Sequence, residues 1–583
     1  MGRRHHGRGL PLNFMGGVRV DLKQSLTLMS CIALSLGSGC EEPKVDGSAS
    51  IDDDTGAETI DPGDSMTLEI TQGIIFADDP GLGEFPGWVG VPNIDDDDED
   101  GEQDWDQDGS ADDDNDFALG TLDTRGRTVE LRLSGSNGIR VYAGDELLLD
   151  EDIEEATLDG SEDTVSLRVE FEEALDNGRL RVKDPNEDES FTVELTASPL
   201  ILNHHLQLAE ETMALDLSSN PVYGNGDFID QYEDVLGGDF LGISAGRYQG
   251  DPWVQDEFEF GFYTAPDSHL DVIFDTHRNG QGSPGDGLDD FPEDQYEGPD
   301  WVITNWGSVR ANSQDYGGNL EVSPPVTVDG VVYPHGRIYY GGKGRLSPQE
   351  STREALDDMK IQKPFLVDST WLCVGHVDEY TSTIPDPSAP KGFRFVLSDT
   401  RSAWELLDSM DPDTRLPRYA PGGWSGHSID TVGEIVDDTA LRRLNDEVQE
   451  ILDEEKEKFV RELGLTEDDI IYMPSLFEEP MGCGSTVASL IPGMVNMIVS
   501  EQDGEPILFM ADPFLRESVS DQSSDLMIEL VRDVFPDDMA IEFMDDWDLY
   551  HMGLGEVHCG SNVKRAPSQA WWTEGGHLLS EDE

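Results

Sequence analysis

The spacing of apolar residues changes near residue 198, and this change constrains the fold more than any other feature of the sequence. Over residues 66–198, short runs alternate apolar and polar residues, as in Thr128–Leu133 and Phe191–Leu195. A period of two buries one face of each strand, so this region is predicted to be an all-β sandwich of about seven strands. Asn137-Gly138 and Asn177-Gly178 separate such runs and predict hairpin turns, because both residue types tolerate positive φ.

Residues 199–583 show a mixed pattern, in which runs typical of strands are separated by runs typical of helices. Apolar residues at helical spacing from Leu441 to Leu463, followed by Gly464, predict one long helix with a glycine at its C-terminal end. Ser351 and Glu354 have the spacing of a capping box at the start of another helix. An α+β chain follows, with residues 199–583 as one large second domain.

The N-terminal region has the composition of an export signal. Residues 1–40 run from basic to apolar to small residues, and Leu36–Cys40 (LGSGC) resembles a bacterial lipobox. We expect residues 1–40 to be a signal peptide, Cys40 to be lipidated, and the acidic, Gly- and Ser-rich residues 41–65 to be a flexible tether. The protein would then be exported, as a cell envelope lipoprotein or a secreted protein. Its only membrane contact would be the lipid anchor.

The chain is very acidic, with 124 Asp and Glu against 37 Lys and Arg and a formal net charge of -87. Such a charge repels nucleic acid and attracts cations, so we expect no nucleic-acid partner. The densest acidic run, at residues 93–116, contains Asp104, Asp106 and Asp108 followed by Gly109. Alternating carboxylates in a tight loop can converge on calcium, which prefers six to eight oxygen ligands. A solvated acidic loop is the alternative explanation.

Four short clusters in the second domain combine residue types that enzymes use for catalysis. They are DPWVQDEFEFG at 251–261, DTHRN at 275–279, GHVDE at 375–379 and GEVHCGSN at 555–562. Taken singly, each has a structural explanation, since a lone cysteine is most often a small buried apolar residue.

Together, and in this order, the clusters resemble the sequence blocks of the protein-arginine deiminases, which belong to the guanidine-modifying superfamily. Further similar runs are GNLEVSPPV at 318–326, LGLTEDDII at 463–471, MVNMIV at 494–499 and Trp571-Trp572. The resemblance implies a five-bladed α/β propeller as the catalytic domain, over residues 199–583. It also implies that the β-sandwich of residues 66–198 is immunoglobulin-like.

The resemblance assigns Cys559 as the nucleophile and His376 as the general acid/base. Asp256 and Asp378 would hold the substrate guanidinium, a planar cation that two carboxylates can orient. The guanidinium carbon is a poor electrophile, which explains the need for a thiolate. The substrate-binding positions implied in addition are Trp253, Arg278 and Val374.

Several calcium ions are implied by the same resemblance. Their ligands would be Gln255, Glu259, Glu321 and the carbonyls of Gly317 and Leu320 at one site; Glu257, Asp275, Thr276 and Asn279 at a second; and Asn93, Asp95, Asp97, Asp113, Asp116 and Asp300 beside the sandwich. We expect residues 255–259 to be a strand, so that alternate side chains serve different sites. Without calcium these carboxylates repel one another, which would make the metal a switch.

The sequence therefore predicts calcium-dependent hydrolysis of peptidyl-arginine, in protein or peptide substrates, to peptidyl-citrulline. Two alternatives stay open. A deiminase of a small guanidine, such as free arginine or agmatine, would use the same four catalytic residues. An inactive calcium-binding surface lipoprotein would keep the fold without turnover. The sequence leaves open whether the chain forms a homodimer.

Overall fold

The computed structural model describes residues 66–70, 87–96, 117–136, 138–144, 146–187, 189–221, 223–266, 268–276, 278, 287–305, 312–420, 428–536, 539–568 and 570–580. Residues 66–583 form one compact unit. The predicted signal peptide, the tether and Cys40 lie outside the described residues. Among the described helices, none is both long and apolar enough to cross a membrane.

The first part of this unit contains ten strands. They are β1 (Thr67–Ile70), β2 (Gly87–Gly90), β3 (Ala118–Asp123), β4 (Val129–Ser134), β5 (Ile139–Ala143), β6 (Glu146–Leu149), β7 (Glu155–Leu158), β8 (Thr164–Phe171), β9 (Asn177–Lys183) and β10 (Ser190–Ala197). They form two five-stranded sheets, in the orders β1-β3-β8-β5-β6 and β2-β10-β9-β4-β7. Leu122 and Val169 of the first sheet share a core with Trp88 and Leu180 of the second, and all four side chains are fully buried.

Both predicted hairpin turns in this region are wrong. The strands on either side of Asn137-Gly138, β4 and β5, belong to different sheets. Asn177-Gly178 opens β9, and β9 pairs with β10 and β4 rather than with the preceding β8. The chain crosses between the sheets at this point, so the Asn-Gly pair does not close a hairpin. The sheets also contain ten strands where about seven were expected.

The rest of the chain alternates strands and helices. The strands are β11 (Ile201–Leu202), β12 (Ala209–Asp216), β13 (Phe240–Ser244), β14 (Phe258–Ala265), β15 (Ser268–Asp275), β16 (Trp301–Asn305), β17 (Leu320–Val322), β18 (Val326–Val328), β19 (Val331–Tyr333), β20 (Ile338–Gly341), β21 (Phe365–Val367), β22 (Thr381–Pro385), β23 (Phe393–Asp399), β24 (Ile470–Pro474), β25 (Phe477–Glu478), β26 (Ala488–Ser489), β27 (Ile498–Gln502), β28 (Glu505–Ala511), β29 (Ala540–Met544) and β30 (Ser561–Arg565). The α-helices are α1 (Gly226–Leu236), α2 (Val254–Glu257), α3 (Phe291–Tyr296), α4 (Glu350–Asp358), α5 (Thr400–Ser409), α6 (Val432–Val436), α7 (Thr439–Leu463), α8 (Leu526–Val534) and α9 (Trp571–Glu574).

The long predicted helix is confirmed as α7, which ends at Gly464 in the left-handed conformation, with φ of 61°. Its buried face carries Val448, Leu452 and Phe459. The predicted capping box is wrong, because α4 begins at Glu350 and Ser351 lies inside it.

Five mixed sheets in this part repeat one arrangement. In each, a central strand pairs antiparallel with one neighbour and parallel with another, and a helix leads from the central strand to the parallel one. The antiparallel, central and parallel strands are β14-β15-β16, β17-β20-β21, β22-β23-β24, β27-β28-β29 and β30-β12-β13. The last of these joins the C-terminal β30 to β12, with Ser561 opposite Ala214. The ends of the domain are thereby closed on each other.

A disulfide joins Cys373 and Cys483, whose Cα atoms lie 5.5 Å apart and 110 residues apart in the chain. The Cys373 amide also donates to the Val487 carbonyl at 2.8 Å. The segment leading to His376 is therefore tied, covalently and by a hydrogen bond, to the loop before β26.

Removal of this disulfide is expected to lower the free energy of unfolding by about 2–4 kcal/mol, because the crosslink closes a long loop in the unfolded chain. The Cys373→Ser/Cys483→Ser double variant would be compared with the parent by thermal and denaturant unfolding, with and without reductant. The parent should become less stable in reductant, whereas the double variant should not respond. Equal stability of the two proteins under oxidising conditions would contradict the prediction.

Candidate active site

Five residues, one from each of the five mixed sheets, converge on one site. Each lies just before the strand that pairs antiparallel with the central strand of its sheet: Asp256 two residues before β14, Gly318 two before β17, Asp378 three before β22, Asn496 two before β27 and Cys559 two before β30. The same end of five separate sheets therefore supplies one site.

Cys559 is buried and is the free cysteine among the described residues. Its Sγ lies 3.5 Å from Asp378 Oδ2 and 3.3 Å from Asn496 Nδ2. Burial raises the pKa of the Cys559 thiol well above its usual value, and the charges of Asp378 and Asp256 raise it further. Without a bound cation, this site therefore favours the neutral thiol.

Asp256, Asp378 and His376 surround Gly318. A Cβ at Gly318 would lie 2.7 Å from His376 Nδ1, 2.9 Å from Asp256 Oδ1 and 3.1 Å from Asp378 Oδ2. His376 Nδ1 and Asp256 Oδ1 are themselves 3.4 Å apart. Only glycine leaves room here for the three side chains and a ligand between them.

The two aspartates have unused acceptor atoms. Asp256 Oδ1 and Asp378 Oδ1 are buried and accept no hydrogen bond from any residue that the structure describes. Burial raises the pKa of Asp256, an effect that His376 and Arg278 oppose. Buried carboxylate oxygens without donors are costly, so the site is suited to a cation with several N–H groups.

His376 is fully buried, and its Nε2 lies 2.8 Å from the Ser313 carbonyl. A carbonyl only accepts, so Nε2 carries the proton and Nδ1 is directed at Asp256. The backbone amides of Gly375 and His376 donate to Glu379 Oε1, which fixes the loop carrying the ring.

The three predicted substrate-binding residues lie at the edge of this group. Arg278 Nη1 is 2.8 Å from Glu257 Oε1 and 3.0 Å from Asp251 Oδ2, and its Nε is 3.8 Å from Asp256. Trp253 is half-buried, and its ring would contact a Cβ added at Gly555. Val374 is also half-buried, and its carbonyl accepts from Ser313 Oγ at 2.8 Å.

The predicted ligands of the first calcium site come together around one cavity. Gln255 Nε2 donates to Glu259 Oε1, and both residues line one cavity with Leu320 and Glu321. Burial raises the pKa of Glu259 well above its usual value, with a further rise from Glu321, and burial raises that of Glu321 to about 7. The buried Glu321 carboxylate, the half-buried Glu259 carboxylate and a nearby amide oxygen form an oxygen-rich set that fits calcium. The Gly317 backbone also closes on this set, since a Cβ there would meet the Gln255 carbonyl.

The local structure of this segment differs from the prediction. Residues 254–257 form one helical turn, α2, and the strand begins only at Phe258. Gln255 lies in the helical turn and Glu259 is the second residue of β14, so their contact does not arise from alternate residues of one strand sharing a face.

The other predicted calcium ligands fall into two groups. Glu257 Oε2 is buried and accepts no hydrogen bond from any described residue; Asp275 lies near enough to Glu257 to raise its pKa, and Thr276 Oγ1 donates to the Glu257 carbonyl. Beside the sandwich, Asn93 and Asp95 are buried, and Asp95 Oδ2 accepts from the Asp300 amide at 2.8 Å. Asp97, Asp113, Asp116 and Asn279 lie outside the described residues.

Two residues at the site were not singled out from the sequence. Asn496 Nδ2 donates to Cys559 Sγ, and its Oδ1 accepts from the Cys559 amide at 3.1 Å, so one side chain holds the cysteine at two points. His558 Nδ1 lies 3.0 Å from Asp378 Oδ2. Both residues belong to runs that were recognised, but only the tertiary structure shows which atoms they contact.

Comparison with known proteins identifies one family and several relatives. The profile of the family described as "Protein-arginine deiminase (PAD)" matches residues 188–573. Protein-arginine deiminase type-4 of Homo sapiens is 36% identical over 332 residues, which are 55% of this chain and 48% of that protein. Protein-arginine deiminase type-1 of Mus musculus is 35% identical over 334 residues, 56% of this chain and 48% of that protein.

The chain spans about half the length of the curated relatives it matches. The profile match nevertheless covers more than half of the chain and includes each of the five converging positions. The predicted family is confirmed: this chain belongs to the protein-arginine deiminase family.

Proposed function

We propose that this protein hydrolyses peptidyl-arginine to peptidyl-citrulline and ammonia, with Cys559 as the nucleophile and with calcium required. The observation that carries the proposal is the convergence of a buried thiol, two carboxylates with unused oxygens and an imidazole around Gly318. Arginine offers a planar cation with five N–H donors, which can pair with two such carboxylates at once.

Substrate binding would activate the nucleophile. The raised pKa of Cys559 comes from burial and from the charges of Asp378 and Asp256. A guanidinium placed between these carboxylates offsets their charge and favours the thiolate. Sγ then attacks the guanidinium carbon, and the proton lost by the thiol ends on His376 or the departing nitrogen.

The remaining steps need one acid and one base. His376 protonates the terminal nitrogen, the C–N bond breaks, and ammonia leaves an S-alkylthiouronium on Cys559. His376 then takes a proton from water, which adds to the same carbon. The C–S bond breaks, and citrulline leaves with the water oxygen while Sγ regains its electrons and a proton.

Calcium would be held by the oxygen-rich set of Gln255, Glu259 and Glu321 and by the set around Glu257. Its charge would allow these buried carboxylates to ionise together and would fix the segment that carries Asp256. At Glu257 it would also compete with Arg278, which pairs with this carboxylate in the structure. Arg278 would then be freed to contact the substrate peptide.

In chelator, the free energy of unfolding is expected to fall as the pH rises from about 6.5 to about 8, a range above the ordinary histidine pKa in which mainly the buried carboxyl groups titrate. Burial raises the pKa of Glu321 to about 7 and that of Glu556 to about 8. A carboxyl whose pKa is raised in the folded state stabilises the fold below its unfolded pKa of about 4.3, and this stabilisation is lost as the pH passes through the folded pKa.

Calcium should reduce this fall, because the metal replaces the proton at Glu321 and Glu259 but not at Glu556. Thermal unfolding at about pH 6.5 and about pH 8, with calcium or with chelator, tests the prediction. A larger calcium-induced rise in Tm at the lower pH than at the higher one would contradict it.

We also propose that residues 199–583 form a five-bladed α/β propeller and that residues 66–198 form an immunoglobulin-like domain. Five repeats of the same mixed sheet support the first, as does closure of the domain by β30 and β12. Two five-stranded sheets around one core support the second.

Export is proposed from the composition of residues 1–40, with Cys40 as the lipidated residue. The Cys373–Cys483 disulfide supports it, since disulfides persist mainly in oxidising compartments. Globomycin-sensitive processing, or mass spectrometry of the mature N-terminus, tests lipidation at Cys40. A mature protein with an unmodified Cys40 would overturn that part of the proposal.

The test of the activity is citrulline and ammonia formation from a peptide with blocked termini and a single arginine. Free arginine and agmatine serve as competing substrates, and a lysine peptide serves as the control. Calcium-dependent citrulline from the blocked peptide supports the proposal. Turnover of free arginine or agmatine alone would instead assign a small-guanidine deiminase, and calcium-dependent stabilisation without any turnover would assign an inactive binding protein.

A further inference from the structure

His205, Glu321 and His558 form a cluster whose two histidines have no role in the proposed function. Each offers one ligand atom, and these atoms all lie within 4.8 Å of one another. His205 Nε2 is 3.6 Å from Glu321 Oε2, and His558 Nε2 is 3.7 Å from Glu321 Oε1. The side chains are nearly buried, with 10%, 7% and 7% of their surfaces exposed.

The Nδ1 atom of each of the two imidazoles already has a hydrogen-bond partner. His205 Nδ1 lies 3.1 Å from the Thr383 carbonyl, and His558 Nδ1 lies 3.0 Å from Asp378 Oδ2. A carbonyl and a carboxylate accept hydrogen bonds, so each Nδ1 carries a proton. Each Nε2 faces Glu321 and is the atom that can bind a metal ion in place of a proton. Metal-binding histidines are typically fixed in this way, by a carbonyl or carboxylate on the opposite nitrogen.

The separations also match a metal site. For Zn²⁺ with ligands at about 2.1 Å and tetrahedral angles, neighbouring ligand atoms lie about 3.4 Å apart. The distances from His205 Nε2 to Glu321 Oε2 and from His558 Nε2 to Glu321 Oε1, 3.6 and 3.7 Å, exceed this value by only a few tenths of an ångström. The three residues line a cavity of about 40 Å³, which exceeds the roughly 15 Å³ that one water requires, so an ion and a water ligand can be accommodated.

The donor set separates this cluster from the predicted calcium site. Two imidazole nitrogens and one carboxylate suit Zn²⁺ and neighbouring transition metals, whereas calcium prefers oxygen ligands alone. Arg565 lines the same cavity, but its guanidinium donates to the carbonyls of Gln207 and Val499 and so is held by the backbone. Its single positive charge faces two carboxyl groups, those of Glu259 and Glu321, so acidic groups outnumber the guanidinium in the cavity.

We propose that His205, Glu321 and His558 bind a zinc-type transition-metal ion, and that this ion competes with calcium for Glu321 and thereby inhibits the enzyme. Glu321 is shared because it is also a predicted calcium ligand. The competition and inhibition rest on the proposed calcium-dependent function, whereas binding of the metal does not.

Cobalt is a spectroscopic substitute that tests the site without any activity assay. Metal-stripped protein titrated with Co²⁺ should develop the visible bands of four-coordinate cobalt, and Zn²⁺ should abolish them. In His205→Gln, the bands should be lost and the affinity for Zn²⁺ should fall by at least about 10-fold. His204→Gln is the matched control, because His204 is a neighbouring buried histidine outside the cluster and this variant should bind like the parent.

Activity measurements then separate the two proposals. Zn²⁺ should inhibit citrulline formation by the parent, and added calcium should raise the Zn²⁺ concentration needed to halve the rate. In His205→Gln, the Zn²⁺ concentration that halves the rate should be at least about 10-fold higher than in the parent, with each rate expressed relative to the same protein without zinc. If the protein binds the metal but forms no citrulline, the proposed metal site is supported and the proposed inhibition is overturned. Citrulline formation without cobalt bands, or with bands unchanged in His205→Gln, would overturn the site and leave the proposed function standing.

Should His205→Gln fail to fold, zinc K-edge absorption of the unaltered protein decides the question. Two coordinated imidazoles give multiple-scattering features that an all-oxygen site lacks. Their presence would support the proposed ligands, and a spectrum with oxygen ligands alone would overturn them.

Discussion

Replacement of Cys559 by serine is expected to lower kcat/KM for a blocked peptidyl-arginine substrate by at least about 10⁴-fold. The buried thiol lies 3.5 Å from Asp378 and receives a hydrogen bond from Asn496, and it is the free cysteine among the described residues. A serine hydroxyl keeps the size and the hydrogen bonds but is far less acidic, so the attacking anion would not form.

The stability of Cys559→Ser should stay close to that of the parent, because only sulfur is exchanged for oxygen. The Cys373→Ser/Cys483→Ser double variant is the matched control, since it changes two cysteines outside the catalytic group. It should keep most of the activity at temperatures where it is folded. Activity of Cys559→Ser within about 10-fold of the parent would show that another residue is the nucleophile.

Replacement of His376 by glutamine is expected to lower kcat by about 10³-fold and to change KM by only a few-fold. The glutamine amide can still donate to the Ser313 carbonyl, as His376 Nε2 does in the structure. It cannot exchange a proton near neutral pH, so both proton-transfer steps are impaired. Substrate affinity should persist because Asp256 and Asp378 are unchanged.

Steady-state kinetics of Asp256→Asn provide the comparison for His376→Gln. Loss of a carboxylate that orients the guanidinium should raise KM, in addition to any loss in kcat. The pH dependence of kcat should also flatten in His376→Gln, because the titrating acid/base is absent. A loss that appears mainly in KM for His376→Gln would assign His376 to substrate binding instead.

The candidate catalytic residues could be named from the sequence because they lie in short contiguous runs, and the structure brings them together. GHVDE contains both His376 and Asp378, and the two side chains reach one site because the intervening backbone is a tight loop held by Glu379. The alternating pattern of residues 66–198 likewise predicted strands, since alternate residues of β4 are buried and exposed. Its turns were less predictable, because Asn177-Gly178 lies where the chain changes sheets.

The contacts between distant segments could not be predicted from single residues. Asn496 was named only as part of the run MVNMIV that resembles a family block, yet it holds Cys559 at two atoms across 63 residues of chain. Nothing in the local sequence around His205 indicates Glu321 and His558, which lie 116 and 353 residues further along the chain. The pairing of Cys373 with Cys483 also emerged only in the structure.

The sequence by itself determined which residue types are present at the site and the local pattern of strands and helices, because both depend on neighbouring residues. The tertiary structure alone decided that five sheets repeat one arrangement and that each places a residue just before its antiparallel outer strand. The five sheets share no visible sequence repeat, and the last pairs Ser561 with Ala214. Such pairing is set by packing of the whole chain, since hydrogen bonds between strands depend on backbone position and are nearly independent of side-chain identity.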